Sequence, residues 1–249
     1  MRAVCLYAIT DHPEMPAPRV PGLGDAPLEQ VTHQDVGATV STLSARLMPS
    51  READLWRFET VLEALMADRA VLPMRFGSTL PDPLAVQTML QERYSEFRRN
   101  LDEVRGRVEV SLRVLWQLSE TEPPHAVRSS PAAKTGRAYL MERLESERRE
   151  GDRRSRAEAL AQTIHGPLAE MAARSVRRVL ITPHLLLTAA YLIERGRMED
   201  LLTRVRVLEA VQPQLRFLCT GPWPPYSFVT AAEAPKERLD AANSACGPE

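Results

Sequence analysis

The 249 residues carry 32 basic and 33 acidic side chains, a net charge of −1, with 44% hydrophobic and 26% charged residues. So even a balance offers neither the basic footprint of a nucleic-acid binder nor a polybasic membrane cluster, while the apolar fraction suffices for one large core or two modest ones. The three cysteines, Cys5, Cys219 and Cys246, are odd in number and far apart, which argues against a disulfide scaffold or a zinc site and suits a reducing cytosol.

Residues 2–10 form a nearly continuous apolar run, the pattern of a central strand buried on both sides. Ended by Asp11-His12-Pro13, it is too short for a secretory signal. A proline-rich loop spans Pro13 to Pro27, and two short strands are expected over 28–34 and 36–43. A helix starts with Ser50 as N-cap and buries Leu55, Phe58, Leu62 and Leu65 at three- and four-residue steps. The next strand covers 71–79. Asp82-Pro83 opens a helix lined by Val86, Leu90, Phe97, Leu101 and Val104, and Gly106 ends it. From Val108 to Leu118 apolar and polar residues alternate, as in a strand with one buried face.

Pro123-Pro124 and Ser129-Ser130-Pro131 break both helix and strand, so residues 120–131 read as a linker. Beyond it a helical hairpin is expected, with arms near 132–150 and 157–171. The charged Arg148–Arg154 stretch forms a solvated bend between the arms, and Gly166-Pro167 kinks the second. Val179 to Ile193 is apolar but interrupted by Thr182-Pro183-His184, which makes it a hairpin of two strands rather than a membrane span. A helix with Met198, Leu201, Leu202, Val205 and Leu208 and a last strand from Leu215 follow. The sheet is expected to stop at Gly221-Pro222. The fold class is α+β in two domains, residues 1–119 and 132–229, the first ferredoxin-like with an extra strand and the second containing the hairpin. Residues 230–249 form a tail.

No motif points to catalysis. The histidines, His12, His33, His125, His165 and His184, show no metal-ligand spacing, and Lys134-Thr135 lacks the glycines that would cradle a phosphate. Isolated Tyr7, Phe76 and Trp116 do not make an RNA-stacking sheet. The expectation is therefore no catalytic residue, no metal and no cofactor.

Two stretches stand apart. In Gly221-Pro222-Trp223-Pro224-Pro225-Tyr226-Ser227-Phe228 a stiff, proline-held segment carries three aromatics, able to seal a core or clasp a partner. In Val71-Leu72-Pro73-Met74-Arg75-Phe76-Gly77 a proline inside a strand marks a sheet edge or a bulge, with Arg75 pointing opposite to Met74 and Phe76. Together with Cys5-Leu6-Tyr7-Ala8-Ile9 and the run from Phe97 to Val110 that holds Leu101, Gly106 and Glu109, these segments resemble the gas vesicle GvpF/GvpL family, in the same order along the chain. The resemblance implies a cytoplasmic, non-enzymatic accessory protein of gas vesicle formation, or a minor component located at the gas vesicle itself. Such a protein would contact the hydrophobic shell protein GvpA and other gas vesicle proteins. Candidate contact residues are Pro73, Arg75, Phe76, Trp223, Tyr226 and Phe228. A ligand-sensing ferredoxin-like module is the alternative.

Overall fold

The apolar run at the start of the chain forms β1 (Arg2–Asp11), and all residues from Val4 to Ile9 are at most 2% exposed. The computed structural model describes residues 2–44, 52–117, 136–180, 182 and 184–229. Within them lie two antiparallel sheets, one in each of two compact units. The first unit is the chain up to Arg105 joined by the segment that begins at Pro224, and the second is Gly106–Trp223.

In the first unit β1 is followed by β2 (Glu29–His33), β3 (Val36–Ser44), α1 (Glu52–Met66), β4 (Val71–Pro73), β5 (Thr79–Leu80), α2 (Pro83–Glu92) and α3 (Tyr94–Val104). The strand order is β2-β3-β1-β4, with β5 also paired to β1. This is a modified ferredoxin-like arrangement. Its first crossover is the proline-rich stretch with a single 3-10 turn at Leu23–Asp25 instead of a helix, and β5 supplies the extra strand. Tyr7 organises the core. It stacks on Phe58 of α1 at 5.2 Å between ring centroids, hydrogen-bonds Ser41 Oγ at 2.8 Å and accepts from the Leu23 amide at 2.7 Å. Asp11, 3% exposed, ties three elements at the end of β1. Its carboxylate accepts from the Ala70 amide at 2.8 Å and from Arg105 Nε at 3.0 Å.

The expected helix after Asp82 is two helices. The N-cap holds, Asp82 Oδ1 accepting from the Ala85 amide at 2.8 Å, but Arg93 leaves helical geometry (φ −109, ψ 16). Its guanidinium bonds both Glu96 oxygens and lies 4.9 Å from the Phe97 ring centre, which starts α3 afresh. In α1, Phe58, Leu62 and Leu65 are buried as expected, whereas Leu55 is 42% exposed. The expected cap Ser50 lies outside the described residues.

The second unit holds β6 (Arg107–Trp116), α4 (Gly136–Ala169), β7 (Arg174–Val179), β8 (Leu185–Glu194), α5 (Met198–Ala210) and β9 (Leu215–Trp223), with strand order β7-β8-β6-β9. Three expectations are corrected here. The strand after Gly106 belongs to this sheet and not to the first. Gly106 (φ +69) turns the chain out of α3, and β6 then pairs with β8 and β9. The helical hairpin is one continuous helix of 34 residues, running through Arg148–Arg154 and Gly166-Pro167. One glycine costs a helix only about 1 kcal/mol, and the charges around it form supporting pairs one turn apart, Arg143–Glu147 and Arg149–Glu145. Finally, β9 does not stop at Gly221 but continues through a bulge to Trp223, which pairs with Glu109. Ala157, Ala161, Ile164 and Leu168 of α4 are buried, and α4 packs on β7, β8 and α5. Every residue from Tyr139 to Arg156 is exposed, so the first half of α4 is a solvated arm. The expected linker 120–131 and tail 230–249 lie outside the described residues.

Candidate interaction surface

The stretch 71–80 is an edge strand interrupted by a turn. Pro73 pairs opposite Ala8, the Met74 amide donates to Tyr7 O at 2.9 Å, and the ladder resumes when Leu6 donates to Ser78 O at 3.0 Å. Between them the Ser78 amide closes onto Arg75 O at 3.0 Å, and Gly77 takes φ +83, which favours glycine. Pro73 and Met74 are buried. Phe76 is half-buried, its ring edge-on to Phe58 at 5.5 Å. Arg75 alone projects from the turn. The surface offered is thus a cationic tip and not a strand edge, because the three residues of β4 are all buried.

The stretch 221–229 divides between the units. At the end of β9, Gly221 (φ +136) and the cis Gly221–Pro222 bond form the bulge, and a Cβ at Gly221 would fall 2.9 Å from Glu109 O. Trp223 is 39% exposed and donates its indole N–H to Thr220 Oγ1 at 3.2 Å. In the first unit, Pro224 and Pro225 are buried, and a tight turn follows in which the Phe228 amide donates to Pro225 O at 3.1 Å. Phe228 is 4% exposed, a plug in the core, while Tyr226 stays 39% exposed and donates to Glu59 Oε1 of α1 at 3.0 Å. Burial raises the Glu59 pKa, the Tyr226 hydrogen bond pulls it back down, and Glu63 adds a further upward push. Of the six expected contact residues, Arg75, Trp223 and Tyr226 therefore present the most surface. Pro73 and Phe228 are enclosed and Phe76 is partly so.

Sequence reasoning missed Trp56, which is 66% exposed. Its signal was phase: Trp56 falls outside the Phe58–Leu62–Leu65 stripe. It also missed a buried polar cluster. His165 Nδ1 lies 3.0 Å from Tyr191 OH, and Ser175 Oγ lies 3.5 Å from His165 Nε2. The trio superficially suggests a nucleophile and base, yet a phenol stands where an orienting carboxylate would. Tyr191 is fully buried and His165 9% exposed, while Ser175 is half-buried. Burial, and secondarily Arg177, lower the His165 pKa, which favours the neutral ring, and burial raises that of Tyr191. The cluster fastens α4 to the sheet. Among the described residues no group of three or more His, Cys, Asp or Glu side chains could hold a metal ion, and no helix is long and apolar enough to cross a membrane.

A family model described as gas vesicle synthesis protein GvpL/GvpF matches residues 3–230, from β1 through the turn after Pro225. The chain belongs to the GvpL/GvpF family. It is 31% identical over 237 residues to the gas vesicle protein L of Streptomyces sp. (strain CB03234), covering 85% of this chain and 86% of that protein. It is 28% identical over 231 residues to the gas vesicle protein F of the same strain, covering 89% and 96%. The crystal structure of GvpF from Anabaena sp. PCC7120 has the same fold, with a TM-score of 0.76 at 22% identity over 93% of this chain and 98% of that one. Membership of the GvpL/GvpF family ties the protein to gas vesicles.

Proposed function

We propose that this GvpL/GvpF-family protein is a cytoplasmic, non-catalytic assembly factor that binds the hydrophobic shell protein GvpA and hands it to the growing gas vesicle. The observation that carries the reading is the family match along nearly the whole described chain. The physical need is plain. A shell subunit with a gas-facing apolar surface aggregates unless something covers that surface until it joins the wall. Exposed Trp223 and Tyr226 give apolar contact area at low ordering cost, and exposed Arg75 adds a positive charge. A role without turnover is inferred from the family. Ligand sensing has less support. The groove of about 480 Å³ beside α4 and β7 is lined mostly by charged groups, Glu150, Arg154, Glu158, Arg177 and Arg178, whereas small-molecule sites are mostly apolar.

Capture of GvpA by purified protein tests the reading. Trp223→Ala and Arg75→Glu, with folding verified by circular dichroism, are expected to weaken capture at least about tenfold. Undiminished capture by both variants would remove these surfaces from the interface, and no capture by the wild type would remove the function.

A further inference from the structure

A second surface lies on α1. Residues 52, 56, 59 and 63 succeed one another at steps of four, three and four, so Glu52, Trp56, Glu59 and Glu63 form one ridge of the helix, with Leu55 beside it. The ridge faces away from the core residues Phe58, Val61, Leu62 and Leu65. Leu55 is 42% exposed, Trp56 66% and Tyr226, bonded to Glu59, 39%. An indole that bare is unusual, and three large apolar side chains gathered at one place mark a contact surface more than scattered exposure does.

The rim says what would cover it. Three carboxylates, Glu52, Glu59 and Glu63, border the patch, and the ridge holds no Lys or Arg. Arg57, the one cation of α1, lies off the ridge and is held by Asp25 at 2.6 Å. Among the described residues Glu59 receives a neutral phenol rather than a cation, and has Glu63 as its charged neighbour. We infer that this face of α1 with Tyr226 docks a cationic amphipathic segment of a partner protein, whose arginines or lysines reach Glu59 and Glu63 while its apolar side chains cover Trp56 and Leu55. Trp56 suits such a partner twice, as apolar area and as a ring face for a guanidinium. This inference goes beyond shell-protein binding and stands whether or not GvpA is the partner.

The test uses the full chain and two synthetic amphipathic peptides of about 18 residues, long enough to lie along the ridge. They share one apolar face, and their polar faces carry arginine in one and glutamate in the other. The arginine peptide is expected to bind saturably by calorimetry and to shift the Trp56 indole resonance. Its affinity should fall at least about tenfold in Trp56→Ala and in the double variant Glu59→Gln/Glu63→Gln. Raising salt from about 0.15 M to about 1 M should weaken it further, since screening shortens from ~8 to ~3 Å. Trp56 and Glu63 are exposed and Glu59 is half-buried, with glutamine still able to accept the Tyr226 hydrogen bond, so folding is expected to persist, and thermal melts verify it. Equal binding of both peptides, no binding of the arginine peptide, or unchanged affinity in the folded variants would each overturn the inference.

Discussion

At the scale of single residues, two glycines show how the same side chain answers to different demands. Gly221 holds φ +136 with the Glu109 carbonyl 2.9 Å from where a Cβ would sit, whereas Gly151 lies in a helix with open space around that position. Gly221→Ala is therefore expected to destabilise by about 2–4 kcal/mol, through strain and a backbone clash. Gly151→Ala should stabilise by up to about 1 kcal/mol, by helix propensity alone. Urea unfolding of the two variants checks both signs. His165 supplies a pH dependence. Its folded pKa is lowered from the ordinary 6.5 by burial, so the unfolded chain holds the proton more tightly than the folded one. As pH falls below 6.5 the unfolded chain takes up the proton first, and stability drops until the folded pKa is passed. Comparing unfolding midpoints at about pH 7 and about pH 5, the wild type should lose more than His165→Asn, by at most ~1.4 kcal/mol per pH unit. Equal slopes would mean the ring is not shielded as its burial indicates.

At the scale of elements, α1 separates what a sequence pattern reveals from what packing decides. Leu55, Phe58, Leu62 and Leu65 share one periodic stripe, but only the last three are buried. Phe58→Ala, removing the ring between Tyr7 and Phe76, is expected to cost about 3–5 kcal/mol, and Leu55→Ala within about 0.5 kcal/mol, by denaturant titration. Strands and helices were legible where periodicity and caps were strong: β1 from its apolar run, α2 from Asp82-Pro83, β6 from its alternation. Sheet membership was not, because the partners of β6 lie far later in the chain and pairing is a tertiary choice. The continuous α4 was hidden by a charged, glycine-containing stretch that reads as a bend. Its intrahelical pairs tip the balance towards helix. Of the candidate surface, the segments around Arg75 and Tyr226 were legible from prolines and aromatics. The enclosure of Pro73 and Phe228 and the exposure of Trp56 depend on what packs beside them, which local patterns do not encode.

At the scale of the whole molecule, the second unit is an insertion. The chain leaves the first unit at Arg105 and comes back to it at Pro224, where Phe228 enters the core and Tyr226 fastens to α1. Deleting everything after Trp223 should therefore damage a unit whose other residues all precede Gly106. Burial of Phe228 alone is worth ~2–3 kcal/mol. Hydrogen exchange of the β1 and β3 amides is expected to accelerate in the truncated protein while that of β6 and β8 stays slow. Uniform protection in both sheets would show that the returning segment is dispensable. On the ribosome this arrangement imposes a sequence of events. The amino-terminal body emerges early yet stays unfinished until the segment from Pro224 to Phe228 is translated. A nascent molecule therefore passes through a stage in which that body lacks one of its own core side chains.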